Sequence, residues 1–370
     1  MSNNIDSIVL EFGLEPKDVR ESLSVAVVMG DYLWVASDET TSIERLSAKD
    51  ATTFHQHKSF PLADLINLPA LETGFDQEID IEGMAFQSDY LWIIGSHSIK
   101  RKKAKEDDTP VKGIKKIAKK EQAGNRYIVA RIPVVKNEIG EPELRKTGDD
   151  PANPLTAAQL TGVVESDALV DAIKAEDETD EGRKIQGDIH LGDFLSIPGK
   201  DNGFDIEGLA VAGEKIFIGL RGPVLRGWAV ILEVAVEETD SSTLKLKEIG
   251  PKGRLYKKHF LQLGGLGVRE LCVDGSDLLI LAGPTMELDG PVYIFRWKDG
   301  VNSSEQSLVW NKTLGIPVVV PFGKGSDHAE GMALIDRPEK TSSLLIVYDT
   351  PGETRTVDST GVKADIITPP

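Results

Sequence analysis

The sequence predicts an all-β fold, a β-propeller of five blades, from three observations: a hairpin-like motif that recurs along the chain, a high glycine content, and short, nearly continuous apolar runs. Glycine occupies 35 of 370 positions, which suits a chain that turns often. The motif is clearest where Asp80-Ile-Glu-Gly-Met-Ala-Phe, a polar turn and Tyr90-Leu-Trp-Ile-Ile-Gly return as Asp205-Ile-Glu-Gly-Leu-Ala-Val, a turn and Lys215-Ile-Phe-Ile-Gly. Each copy reads as two strands of a hairpin, and continuous apolar runs suit inner strands covered on both faces. Six blades is the alternative if one copy is degenerate.

Taken in chain order, Ser7-Ile-Val-Leu-Glu-Phe is a strand suited to completing the last blade and closing the ring. Leu23-Ser-Val-Ala-Val with Tyr32-Leu-Trp-Val-Ala-Ser-Asp keeps the hydrophobic pattern of the repeat but lacks its acid. Phe60-Pro-Leu-Ala-Asp-Leu-Ile-Asn-Leu-Pro leads into the second copy, as His190-Leu-Gly-Asp-Phe-Leu-Ser-Ile-Pro leads into the third. Arg269-Glu-Leu-Cys-Val with Asp277-Leu-Leu-Ile-Leu-Ala-Gly makes a fourth copy, and His328-Ala-Glu-Gly-Met-Ala-Leu with Ser343-Leu-Leu-Ile-Val-Tyr-Asp a fifth. Outer strands are predicted at Tyr127-Ile-Val-Ala-Arg-Ile-Pro-Val-Val, Trp228-Ala-Val-Ile-Leu-Glu-Val and Pro291-Val-Tyr-Ile-Phe-Arg-Trp, so that each unit has the four strands of a propeller blade. Residues 1–370 form a single domain with two insertions. One is basic, at about 99–124; the other is acidic, at 149–203, with the periodicity of an amphipathic helix from Thr156 to Glu176.

A formal charge of −18 argues against generic binding to nucleic acid or to an anionic membrane, which long-range repulsion opposes. The exception is Lys100 to Lys120, where ten Lys or Arg face three acids. It reads either as a solvated, mobile charged loop or as a segment that recruits a phosphorylated or nucleic-acid ligand. No apolar stretch is long enough to span a bilayer and the start lacks an export pattern, so a cytoplasmic location is expected. The single cysteine, Cys272, lies in an apolar run and reads as a small buried hydrophobe. Walker loops, dinucleotide-binding glycine fingerprints, paired-Cys frameworks and nucleophilic Ser elbows are missing from the sequence.

A hairpin goes out and comes back, so the start of its first strand and the end of its second share one edge. That gathers Asp80, Glu82, Asp205, Glu207, Glu270, His328 and Glu330 with Asp38, Glu39, His97, Arg221 and Asp349 at one mouth of the channel. Glutamates at one repeated position repel each other unless neutralised. Glu82, Glu207, Glu270 and Glu330 are therefore candidate ligands for a divalent cation, Ca²⁺, Mg²⁺ or Mn²⁺, with Zn²⁺ favoured if a histidine joins them. Arg221 or Arg269 would neutralise them equally well without metal. The competing structural reading is that a repeated acid before glycine only accepts backbone hydrogen bonds and ties blades together. His97, followed by Lys100-Arg-Lys-Lys, is a candidate general base, the alternative being an ordinary exposed loop histidine. Arg221 is paired with it as a catalytic candidate, and Lys100, Arg101, Arg226, Asp38 and Asp349 are candidate ligand-binding residues.

Gly95-Ser-His-Ser with Lys100-Arg-Lys-Lys, Phe204-Asp-Ile-Glu-Gly-Leu-Ala, Gly219-Leu-Arg-Gly-Pro-Val-Leu-Arg-Gly-Trp and Leu281-Ala-Gly-Pro-Thr-Met-Glu-Leu-Asp-Gly-Pro resemble the hallmarks of a bacterial family of uncharacterised proteins. That resemblance covers most of the chain and implies no established activity. More distantly, the acid-Gly repeat before a Trp or Phe hairpin is similar to esterase-like phytase domains and to propeller lactonases and phosphotriesterases. This resemblance implies a metal-assisted hydrolase, although the lactonase residues are not reproduced one by one. The expected function is thus a metal-dependent hydrolase of a phosphorylated or otherwise anionic ester. The alternative is a non-catalytic module that recognises a protein partner or a nucleotide-type ligand.

Overall fold

The computed structural model describes residues 6–13, 17–69, 78–121, 124–164, 166–180, 183–286, 288–337 and 340–370. Each repeat folds as the hairpin its pattern predicts. The hairpins are Leu23–Met29 with Tyr32–Ser37, Ile81–Gln87 with Tyr90–Gly95, Asp205–Ala212 with Lys215–Gly222, Gly267–Asp274 with Asp277–Gly283, and His328–Arg337 with Lys340–Asp349. The first strand of each hairpin is the innermost of its sheet, and consecutive first strands touch, the last returning to the first, so that the hairpins ring a central axis. The fold is a β-propeller.

The apolar core lies between the blades. Val25, Trp34 and Ile43 of the first unit pack with Ile81, Met84 and Ile93 of the second. Trp92 and Ile94 of the second pack with Ile206 and Leu209 of the third. Equivalent clusters join the third to the fourth, the fourth to the fifth, and the fifth to the first. Every inner strand is thus covered on both faces, which is why its sequence is continuously apolar rather than alternating. The blades approach so closely that a Cβ on Gly83 would stand 2.5 Å from the Leu209 Cβ. Asp6–Glu11 pairs antiparallel with Gly361–Ile367, joining the N-terminal segment to the last blade, as predicted.

Both insertions are more structured than their composition suggests. In the basic one, Lys100–Arg101 pairs with Lys120–Glu121, and the helix Pro110–Ile117 between them starts at Thr109, whose side chain accepts from the Lys112 amide. Residues 122 and 123 of that insertion lie outside the described residues. In the acidic insertion the helix predicted from Thr156 to Glu176 forms only over Ala168–Ala175. Asp167 caps it, accepting from the amides of Leu169 and Val170. Upstream, Ala158–Leu160 is a strand pairing with Ala130 and Arg131, because its alternate side chains Ala158 and Leu160 are buried against the blade. Glu165 lies outside the described residues. Among the described residues no helix is long and apolar enough to cross a membrane.

Candidate functional site

All five inner hairpins carry a register shift at the same place. It falls between Leu23 and Val25, Ile81 and Gly83, Ile206 and Gly208, Val268 and Glu270, and Ala329 and Gly331. The residue skipped at each shift is left out of the ladder, as in a β-bulge, which re-aims a side chain. These residues are Ser24, Glu82, Glu207, Arg269 and Glu330. The fourth position of the ring therefore holds Arg269, not Glu270, which occupies the register of Gly83, Gly208 and Gly331.

That shift of one residue changes the electrostatics of the ring. Arg269 stands between its neighbours, with Nη1 3.2 Å from Glu207 Oε2 and 2.8 Å from Glu330 Oε1. Ser24 Oγ donates to the carbonyl of Ile81 at 2.7 Å. Glu270 faces the blade interface, where its Oε1 accepts from the amides of Leu209 at 3.2 Å and Leu271 at 2.8 Å. It is the one predicted ring member that behaves as the structural reading expects, tying two blades together. Burial pushes its carboxyl well above the usual range, against the opposing effect of the two amides.

Above the ring the mouth opens into a cavity of about 1060 Å³. It is lined by Glu82, Glu207 and Glu330 from the ring, by Asp80 and Asp205 from strand starts, and by Asp38, Arg221 and Asp349 from strand ends. The structure thus brings these predicted residues together. Lys100 and Arg101 also line it, at the rim, with Lys102, Lys103 and Lys200. Gly199 donates its amide to the Ile99 carbonyl at 3.0 Å and Arg101 pairs with Asp201 at 2.6 Å, so the two insertions clasp each other beside the mouth.

Arginines neutralise much of this acidity. Arg221, only 7% exposed, pairs with Asp205 and lies 2.5 Å from Glu207. Burial opposes its charge, but Asp205, Glu207, Glu82 and Glu330 together hold its pKa above the ordinary guanidinium value. Arg126, buried at the entry to the third strand of its blade, pairs with Asp80 and with Glu78 at 2.7 Å, and Lys100 adds a second contact to Glu78. Among the described residues no ion pair or hydrogen bond reaches the carboxyls of Asp38 and Glu82. Asp349 faces His328 Nδ1 at 3.8 Å. Burial, then the charges of Glu330, Asp80, Asp349 and Glu39, push Asp38 up to about 9. Burial and the neighbouring carboxylates Asp80, Glu207, Glu330 and Asp38 raise Glu82 in the same direction. Glu207 sits at about 7, raised by burial and held down by Arg221 and Arg269.

Besides Glu270, two candidates lie apart from the cavity lining. His97 is 3% exposed and both its ring nitrogens face acceptors, Nδ1 the Gly95 carbonyl and Nε2 the Asp167 carboxylate, each at 2.7 Å. Two acceptors require two donors, so the ring is an imidazolium that anchors the cap of the helix Ala168–Ala175. Burial works against that charge, but the ion pair and hydrogen bond with Asp167 and the Gly95 bond raise its pKa overall. Arg226 is exposed at positive φ on the turn between Leu225 and Trp228. Arg126 and Lys200 lie outside the repeated hairpins, so the repeat does not point to them. Arg269 was reached only as a counter-ion. The signal that would have aligned it is the spacing from the apolar run, one residue different from that of the other copies.

A comparison with families matches residues 22–365 to the family described as "Protein of unknown function (DUF3616)". No curated protein matches the chain in sequence. Solved structures similar over nearly the whole chain include a glutaminyl cyclase of Myxococcus xanthus, 9% identical, covering 98% of each chain at a TM-score of 0.39. A PQQ-bound aldose sugar dehydrogenase of Streptomyces coelicolor is 10% identical, covers 98% of each chain and has a TM-score of 0.37. An endosialidase of phage phi92 is 8% identical over 99% of this chain and 70% of that one, at 0.38. Likenesses of this degree carry no activity over to the chain.

Proposed function

The chain belongs to this family of unknown function, and on that premise we propose that it is a hydrolase of a small anionic ester, working at the channel mouth with a divalent cation held against Asp38, Glu82 and Asp349. One observation carries the reading: among the described residues, Asp38, Glu82, Asp349 and the exposed Glu39 are the cavity-lining carboxyls that no arginine or lysine pairs with, whereas the others are matched. The matched arginines matter as much. Arg221 and Arg126 each already hold two carboxylates, so an anionic substrate drawn past the lysine rim would meet negative charge at the floor. A cation there would remove that repulsion, and oxygen donors suit Mg²⁺, Ca²⁺ or Mn²⁺. Such an ion polarises an ester and lowers the pKa of bound water. Asp38, whose Oδ1 is buried without a hydrogen-bond partner, is the group whose environment such an ion would most relieve. It must release its proton to bind.

A second reading rests on a specific observation. Among the described residues no three of His, Cys, Asp and Glu already stand grouped to hold a metal, so the same carboxyls suit an organic cation recognised without turnover. Thermal shift and calorimetry with Mg²⁺, Ca²⁺, Mn²⁺ and Zn²⁺, on wild type and on Asp38→Asn and Glu82→Gln, separate the two. The hydrolase reading expects a stoichiometric ion, its loss in both variants, and ion-dependent cleavage of generic phosphate or carboxylate esters. Wild-type protein that binds none of these ions, or cleavage untouched by both substitutions, would overturn it.

A further inference from the structure

The basic insertion does more than place lysines at the cavity rim. In the helix Pro110–Ile117, Gly113 is buried against Ala104 and Asp108, and Asp108 pairs with Lys112 at 2.7 Å and Lys116 at 2.5 Å, which fixes one side of the helix to its own insertion. The opposite side carries Val111, Ile114 and Ile117, spaced by three and exposed by 80%, 70% and 51%. Residues three and four apart share a helix face, so these apolar side chains form a row. The same segment exposes Lys105, Lys112, Lys115, Lys119 and Lys120, of which Lys115 adjoins Ile114 in the helix.

We propose that this face docks the protein on an anionic phospholipid surface, with the channel mouth beside the contact. Charge complementarity selects an anionic partner, because this segment concentrates cations in a chain of net charge −18. The exposed Val and Ile then select a partner with an apolar interior close beneath its charge, which a bilayer interface offers and a nucleic acid groove does not. The segment has no aromatic residue on which bases would stack. Repulsion from the acidic body is the objection that composition raises, but at physiological salt it is screened beyond roughly 8 Å, and the helix presents its own charge first. Lys100, Arg101 and Ile117 line the cavity, so docking brings the mouth to the lipid headgroups.

Co-sedimentation of the full chain with vesicles tests this. Vesicles of phosphatidylcholine mixed with phosphatidylglycerol should carry the protein down, and vesicles of phosphatidylcholine alone should not. The exposed substitutions Val111→Ser with Ile114→Ser should weaken binding by about tenfold or more, and Lys115→Glu with Lys119→Glu should do so in a salt-dependent way. Circular dichroism of each variant should match wild type, since none of the four side chains is buried. Wild type that ignores the mixed vesicles, or binding that persists unchanged when Val111 and Ile114 are serine, would overturn the proposal.

Discussion

Glu82, Glu207 and Glu270 share a residue type and a neighbourhood in sequence, yet the bulge separates their roles. Side chains in a strand alternate faces, so one residue of register sends Glu82 and Glu207 to the channel and Glu270 to the blade interface. Because burial raises the Glu270 carboxyl well above its usual range, its uncharged form is favoured, and an amide of the same shape should replace it with little cost. Glu270→Gln is expected to change stability by under ~1 kcal/mol. Glu270→Ala strands the amides of Leu209 and Leu271 and should cost about 1–3 kcal/mol for each left unsatisfied. Urea denaturation of the two variants measures the difference, and equal losses would remove the distinction drawn between ring and interface. The legibility of the site at this scale was uneven. Asp38, Glu82, Glu207, Arg221, Glu330 and Asp349 could be placed from the hairpin rule, whereas the roles of His97 and Glu270 depend on partners distant in sequence.

At the scale of elements, the strand Asp6–Glu11 closes the ring, pairing antiparallel with Gly361–Ile367 of the last blade and in parallel with Thr53 and Phe54 of the first. Its burial alternates, with Ile8 and Leu10 packed in the cluster between the last and first blades and Val9 between them only partly covered. Leu10→Ala should therefore cost about 2–5 kcal/mol, the range for a fully buried leucine. Val9→Ala should cost less than half as much. Chemical denaturation compares them, and similar losses would mean that the strand is not pinned in this register. The element least legible from sequence was the stretch from Thr156 to Glu176. Its Ala, Leu and Val spacing suits a helix, but Ala158–Leu160 has a free blade edge to pair with, and tertiary pairing outweighs a weak local preference.

Over the whole molecule, the ring and its surroundings set a direction for stability against pH. The carboxyl of Asp38 is raised to about 9 from an ordinary value near 4, so the folded state holds a proton there that the unfolded chain has released. A raised group contributes stability that is full below the unfolded value and is lost as pH climbs through the folded one. Glu82 and Glu330 shift the same way, as does His97, whose contribution is full below about 6.5. Glu143, held down to about 2 by its bonds to Lys58 and Asn137 despite some burial, has the opposite sign, and its contribution disappears as pH falls below about 4.5. Melting temperature in chelator should thus decline from pH 5 to pH 9, and Asp38→Asn should flatten that decline. A profile that rises over this window, or one that Asp38→Asn leaves unchanged, would contradict the assignment.

The propeller, its repeating hairpins, the closing N-terminal strand and the edge at which acidic residues gather are all legible in the amino-acid order. Each follows from local periodicity and from the geometry of a hairpin, both carried by neighbouring residues. Which residue of each copy faces the channel, which carboxyls keep a counter-ion, and the apolar helix face of the basic insertion all depend on contacts between segments that only folding brings together. A bulge is settled by packing between blades, and an ion pair such as Arg269 with Glu207 and Glu330 joins three different repeats. Charge balance in a ring is a property of the closed ring, and no single repeat contains it.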